Sequence, residues 1–264
     1  MKDEMDENLK DAAEFTAPLD VTQADDIEQE PNHEFLQEGV LHEIEVAKNK
    51  EAEGKEEHRG RTTFVVTRSK ELGVDIQIDD ETWNDMVEKG LKFKLEKKDG
   101  WGTIFMAGYL KTIDSERFAE LQELFSNEET QKLIVGAVKD QKEKALQNPE
   151  EWKTYLAMCE HLHNLESSIL DSKDFVVDEV VEAGVQDALD KFNDDPLAYL
   201  EIIHAFETYA PGKLMQDFDI ERSEIMERVK QAKELAKKHR QNRKYWEYAW
   251  AMRLAKGVEH KFAL

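Results

Sequence analysis

The stretch CEHLH at 159–163 sets a thiol and two imidazoles side by side, the densest grouping of soft metal ligands in the chain. On a helix Cys159 and His163 share a face, while His161 points almost opposite. A tetrahedral zinc site would need two further ligands from elsewhere, and Cys159 is the one cysteine. The expectation is therefore a buried or half-buried helix face, with no metal and no cofactor. LEKK at 95–98, downstream of Asp79-Asp80, has the loose form of the Asp…Glu-x-Lys arrangement of metal-dependent nucleases. There two carboxylates hold a divalent cation and a lysine faces the attacked phosphate. Here Lys97 stands where an apolar residue is usual, and alternation along a strand accounts for Glu96 and Lys98. No glycine-rich phosphate loop follows a strand pattern, and no serine sits in a nucleophile elbow. No catalytic residue is assigned, and an enzyme is not expected.

Charge is more informative. The formal net charge is -23, but residues 1–45 carry 15 acids against two bases, whereas residues 229–264 carry ten bases against three acids. Between them, residues 171–195 hold nine acids against Lys173 and Lys191. If that stretch is helical, Asp171, Asp174, Asp178 and Glu182 fall within an arc of about 80°, a single acidic stripe. Such a stripe steers Lys/Arg-rich segments and is the expected partner-binding surface. At the other end, KKHRQNRKYW (237–246) runs into EYAWAMR. Projected on one helix, Lys237, Arg240 and Lys244 lie along a basic stripe, while Tyr245, Trp246 and Trp250 belong to an apolar arc far wider than an ordinary surface helix buries. The segment reads as an internal dock or a dimer-forming surface, because the nearest anion is the protein itself or its symmetry mate. The alternative, stacking on RNA or DNA, is opposed by an otherwise strongly acidic chain.

The elements that must position these residues divide the chain in three. Residues 1–33 are acidic and poor in large apolar side chains, and read as a disordered tail. Residues 34–113 read as a small, mostly antiparallel α+β unit. Its strands are VLHEIEV (40–46), TTFVVTR (62–68), VDIQI (74–78), LKFKLEK (91–97) and TIFMAGYL (103–110), with Asp99-Gly100 as a hairpin turn. A helix over DDETWNDMVEKG interrupts them and 47–61 is a charged loop. Residues 114–264 read as helical throughout. Asp114 or Ser115, the Asn148-Pro149-Glu150-Glu151 run and the NDDP run at 193–196 give start signals, and a break falls near Gln241-Asn242. The fold class expected is thus α+β, a sheet unit followed by a larger helical region.

With no signal-peptide pattern, no apolar run near the ~18–20 residues that span a bilayer, and one cysteine, the expectation is a cytoplasmic protein. So acidic a chain, with an acidic stripe and no catalytic motif, resembles the acidic host-takeover proteins of bacteriophages, among them the giant-phage inhibitors of the bacterial RNA degradosome. The resemblance lies in size, charge and the absent motifs, and no residue is carried over from it. It implies a homodimer whose acidic patches cover RNA-binding segments of a host endoribonuclease. The function expected is a non-enzymatic inhibitor of a basic partner protein. Direct RNA or DNA binding and a virion or assembly role are the alternatives.

Overall fold

The computed structural model describes residues 29–53, 58–76, 78–171, 175, 177–218 and 220–262. Helix accounts for 82% of them, and none is in a strand. The sheet unit expected over 34–113 is absent from the described residues, where four helices stand instead: α1 (His33–Ala52), α2 (His58–Glu71), α3 (Asp80–Glu96) and α4 (Gly100–Ile113). They are followed by α5 (Ser115–Ser126), α6 (Glu128–Gln147), α7 (Glu151–Asn164), a 3₁₀ segment (Ser168–Asp171), α8 (Glu179–Lys191) and α9 (Pro196–Tyr209). The short α10 (Lys213–Asp217), then α11 (Arg222–Gln241) and α12 (Tyr245–Phe262), complete the described chain. The fold is all-helical rather than α+β. The tail expected at 1–33 lies outside the described residues as far as Ile27 and Glu28, and α1 has already begun at His33.

Burial explains why strand patterns became helices. In α2, Thr62, Thr63, Val65, Val66, Thr67, Arg68 and Ser69 are all buried. A helix enclosed on almost every side has no polar face, and so carries no 3.6-residue period to distinguish it from a buried strand. Two of its hydroxyls are satisfied within the helix, Thr67 Oγ1 donating to Thr63 O at 2.8 Å and Ser69 Oγ to Val65 O at 2.8 Å, while Thr62 Oγ1 donates across to Glu43 O of α1 at 3.1 Å. The same holds for α4, where Thr103, Ile104, Met106, Ala107, Tyr109 and Leu110 are buried. Asp99 does not open a hairpin. Its carboxylate caps α4 by accepting Gly102 N–H at 2.8 Å, and the left-handed residue of this turn is Lys98, at φ 52°. α3 starts where expected, with Asp79 accepting Thr82 N–H, but it runs through buried Gly90 to Glu96 instead of ending there. The charged loop expected at 47–61 is helical to Ala52 and again from His58. The described residues of VDIQI belong to no helix or strand, and its Val74 and Ile76 are buried in the core.

Three apolar clusters hold the helices together. The largest is built on α7 and α9 with α6, α8, α11 and α12 around them; the second joins α1, α2 and α3 to α12; the third lies between α3, α4 and α5. α4 contributes Ile104 to the first, Leu110 to the second, and Met106 and Ala107 to the third. A single buried helix therefore couples all three, which is the packing reason that TIFMAGYL has no solvent face.

Candidate functional site

The helices meet at a buried cluster of charged side chains. Arg253 of α12 is 8% exposed and Glu160 of α7 4% exposed. Arg253 donates through Nη2 to Glu160 and through Nε to Glu71 Oε2 at 3.3 Å. Arg68 of α2 donates to the same Glu71 carboxylate at 2.7 Å, and its guanidinium lies 4.9 Å from the Phe64 ring centroid and 5.4 Å from that of Tyr109. Two guanidiniums and two carboxylates thus tie α2, α7 and α12 together. On the α9 side, His204 Nδ1 lies 3.3 Å from Glu160 Oε1. His161, beside Glu160 in sequence, packs instead on Phe105 and Tyr109, at ring distances of 4.5 and 4.9 Å.

Two glycines permit this closeness. A Cβ on Gly108 would fall 2.3 Å from His161 Nδ1, and one on Gly257 would fall 2.6 Å from His204 Nε2. Burial pushes both imidazoles down to about 4, so they are neutral near pH 7. Burial would raise the Glu160 carboxyl, but the adjacent Arg253 outweighs it and holds that group well below the usual carboxylate range. Burial raises the Tyr109 hydroxyl to about 12. Ionised carboxylates, neutral histidines and fixed guanidiniums in mutual contact make a structural lock. Sequence reasoning did not assemble it, because its members lie far apart, 182 positions for Arg253 and Glu71. The available signal was a lone charge inside an apolar run, as in YAWAMRLA and LAMCEHL.

The residues singled out in the sequence are placed as follows. Cys159 and His161 are both buried and His163 is exposed, so the Cys159–His163 face is half-buried. Burial raises the Cys159 thiol to about 12. Among the described residues no group of three His, Cys, Asp or Glu could hold a metal ion. Glu96 ends helix α3, so the nuclease-like spacing lies on no strand. Of the acidic stripe, Asp171 closes the 3₁₀ segment and Asp174 lies outside the described residues. Asp178 caps α8 by accepting Val181 N–H at 3.0 Å, and Glu182 accepts from Lys213 Nζ at 2.8 Å. Because α8 starts only after Asp178, these four do not share one helix; the exposed carboxylates of α8 and the turn after it are Glu179, Asp187, Asp190 and Asp194.

The basic end is interrupted at 242–244, where Arg243 takes the left-handed conformation at φ 55°. Lys237 and Arg240 therefore lie on α11, Lys244 in the turn, and Tyr245, Trp246 and Trp250 on α12, which folds back against α11. The broad aromatic arc is filled from within the chain. Tyr245 packs on Phe35 at 4.6 Å and His42 at 5.5 Å; Trp246 packs on Phe64 at 5.1 Å and Trp250 at 4.9 Å. Tyr248 Oη accepts Asn32 N–H at 2.6 Å, fixing the entry to α1. Several cations of this end are also taken up internally: Lys233 by Glu259 at 2.9 Å, Lys256 by Glu30 at 2.8 Å, and Arg243 by Glu38.

On the surface, the turn between α11 and α12 meets the outer side of α1. Glu38, Leu41, His42, Glu45, Arg243 and Tyr245 line an open groove of about 470 Å³ there. No helix among the described residues is long and apolar enough to cross a membrane. In comparisons with known proteins, no family model, no curated protein and no solved structure matches the chain.

Proposed function

We propose that this chain is a non-enzymatic interaction protein, whose acidic exterior binds a Lys/Arg-rich, nucleic-acid-binding surface of a partner protein and occludes it. The division of charge carries this reading. Much of the basic C-terminal end is engaged by carboxylates of the chain itself, as at Lys233, Arg243, Arg253 and Lys256. Outside, Asp140 and Glu143 on α6, Glu179 and Asp187 on α8, and Asp194 beyond it are exposed and have no ion-pair partner among the described residues. In a chain of net charge -23, unpaired surface carboxylates attract cationic segments and repel phosphate over about a Debye length. The resemblance to phage host-takeover proteins supports the same direction, with an RNA-binding segment of a host ribonuclease as partner and a homodimer as the working form.

The test compares two fluorescent probes by anisotropy, an Arg-rich amphipathic peptide and a single-stranded RNA of similar length. The peptide is expected to bind and to weaken with added salt, while the RNA stays unbound at the same protein concentration. Binding of the RNA but not of the peptide would overturn the proposal in favour of a nucleic-acid contact through α11.

A further inference from the structure

We infer that the outward face of α1, with the groove where it meets the α11–α12 turn, is the anchoring surface for a partner helix that carries arginines about three turns apart and an aliphatic side chain between them. This rests on the reading of the chain as a binder of basic segments, and assigns where such a segment sits. Glu34, Glu38, Leu41 and Glu45 recur along α1 at helical spacing and all are exposed. Leu41 is 53% exposed, in the middle of that stripe. The opposite side of the same helix, Leu36, Val40 and Ile44, is buried in the core, so the outward register is fixed.

The groove adds shape to this stripe. Its volume of about 470 Å³ is near the small end of the ~300–1,000 Å³ range of ligand clefts, room for anchoring side chains of a larger partner. The buried Tyr245 ring forms one wall and Leu41 lies beside it, an apolar floor between carboxylates. The chain itself places an arginine there: Arg243 Nη2 donates to Glu38, and its Nε and Nη2 donate to Tyr245 Oη at 3.2 and 3.1 Å. A carboxylate and a phenol oxygen are thus already set to receive a guanidinium. Glu34 and Glu45 flank this pair and have no ion-pair partner among the described residues, leaving two further anionic positions for an incoming cationic helix. Three glutamates disfavour a nucleic acid at this face, and a second copy would set its own α1 glutamates against them.

The test uses the full chain and a labelled amphipathic peptide with arginines at i and i+11 and leucine between, on the same face. Leu41→Asp is expected to weaken binding about tenfold or more, and the loss should persist in high salt, as for a buried apolar anchor. Glu34→Lys with Glu45→Lys should weaken it by a similar factor at low salt. Reversing the α8 carboxylates (Glu179→Lys, Asp187→Lys, Asp194→Lys) should change it less than about threefold. Circular dichroism verifies that each variant is folded. If both α1 variants bind like the wild type while the α8 reversal loses the peptide, this surface assignment is wrong and the basic-partner reading stands. If the wild-type chain binds no such peptide, the parent reading falls with it. A dimer in sedimentation that Leu41→Asp dissociates, with peptide affinity unchanged, makes the occupant a second copy and overturns the inference.

Discussion

The cluster around Glu160 and the outer face of α1 use the same kinds of side chain to opposite effect. Inside, Glu160, Glu71, Arg68 and Arg253 contact one another, and only Glu71 reaches the surface, with 24% of its side chain exposed. Outside, Glu34 and Glu45 are exposed, with no ion-pair partner among the described residues. A charge taken out of water is stable only with its partner in place, so the interior set is fixed and removing one member is costly. A charge left in water contributes little to stability and keeps its field for something else. The difference separates carboxylates that hold the fold from carboxylates free to act on another molecule.

The sharpest way to break that contrast is Arg253→Met. It strands Glu160 at 4% exposure and is expected to cost about 3–5 kcal/mol in urea unfolding. A loss below about 1 kcal/mol would mean the cluster is not a lock. Acid should act next most strongly on the same region. His161 and His204 titrate at about 4 when folded and near 6.5 when unfolded, so the unfolded chain binds more protons between those values. Stability therefore falls as pH drops from about 6.5 to about 4. Below that, Glu160, whose folded value is lowered, adds its own loss as it protonates. A denaturation midpoint that stays level from pH 7 to pH 4 would contradict this.

A methyl group tests the same packing without altering charge. Gly108→Ala puts a carbon 2.3 Å from His161 Nδ1 and is expected to cost about 1–3 kcal/mol, read from the shift in midpoint. Smaller again is Asp178→Ala, which removes the cap on Val181 N–H for about 1 kcal/mol, against no more than about 0.5 kcal/mol for the exposed Asp187→Ala. Equal losses from these two would erase the distinction between structural and free carboxylates on α8.

The same distinction explains what could be read in advance. Helix starts at Asp79, Asp114 and Asp195 were legible, because a cap is a local device that needs only its own next turn. The break after Gln241 was anticipated too, but it falls inside the basic run and so parts Lys237 and Arg240 from the aromatic residues projected with them on one helix. The helices α2 and α4 were not legible. β-branched and aromatic residues suit both a buried strand and a helix wrapped by others, and only the number of neighbours decides between them. The acidic stripe failed differently. Its arc assumed one continuous helix, whereas α8 begins only after Asp178, which serves as its cap.

By itself, then, the sequence determined the charge of the chain, its concentration at opposite ends and the local punctuation of many helices, since these depend on composition and on neighbours a few positions away. Tertiary structure alone decided which charges are locked and which are free. Arg253 and Glu71, or Arg243 and Glu38, meet across about 200 positions, and whether a carboxylate is paired or exposed depends on which helices enclose it.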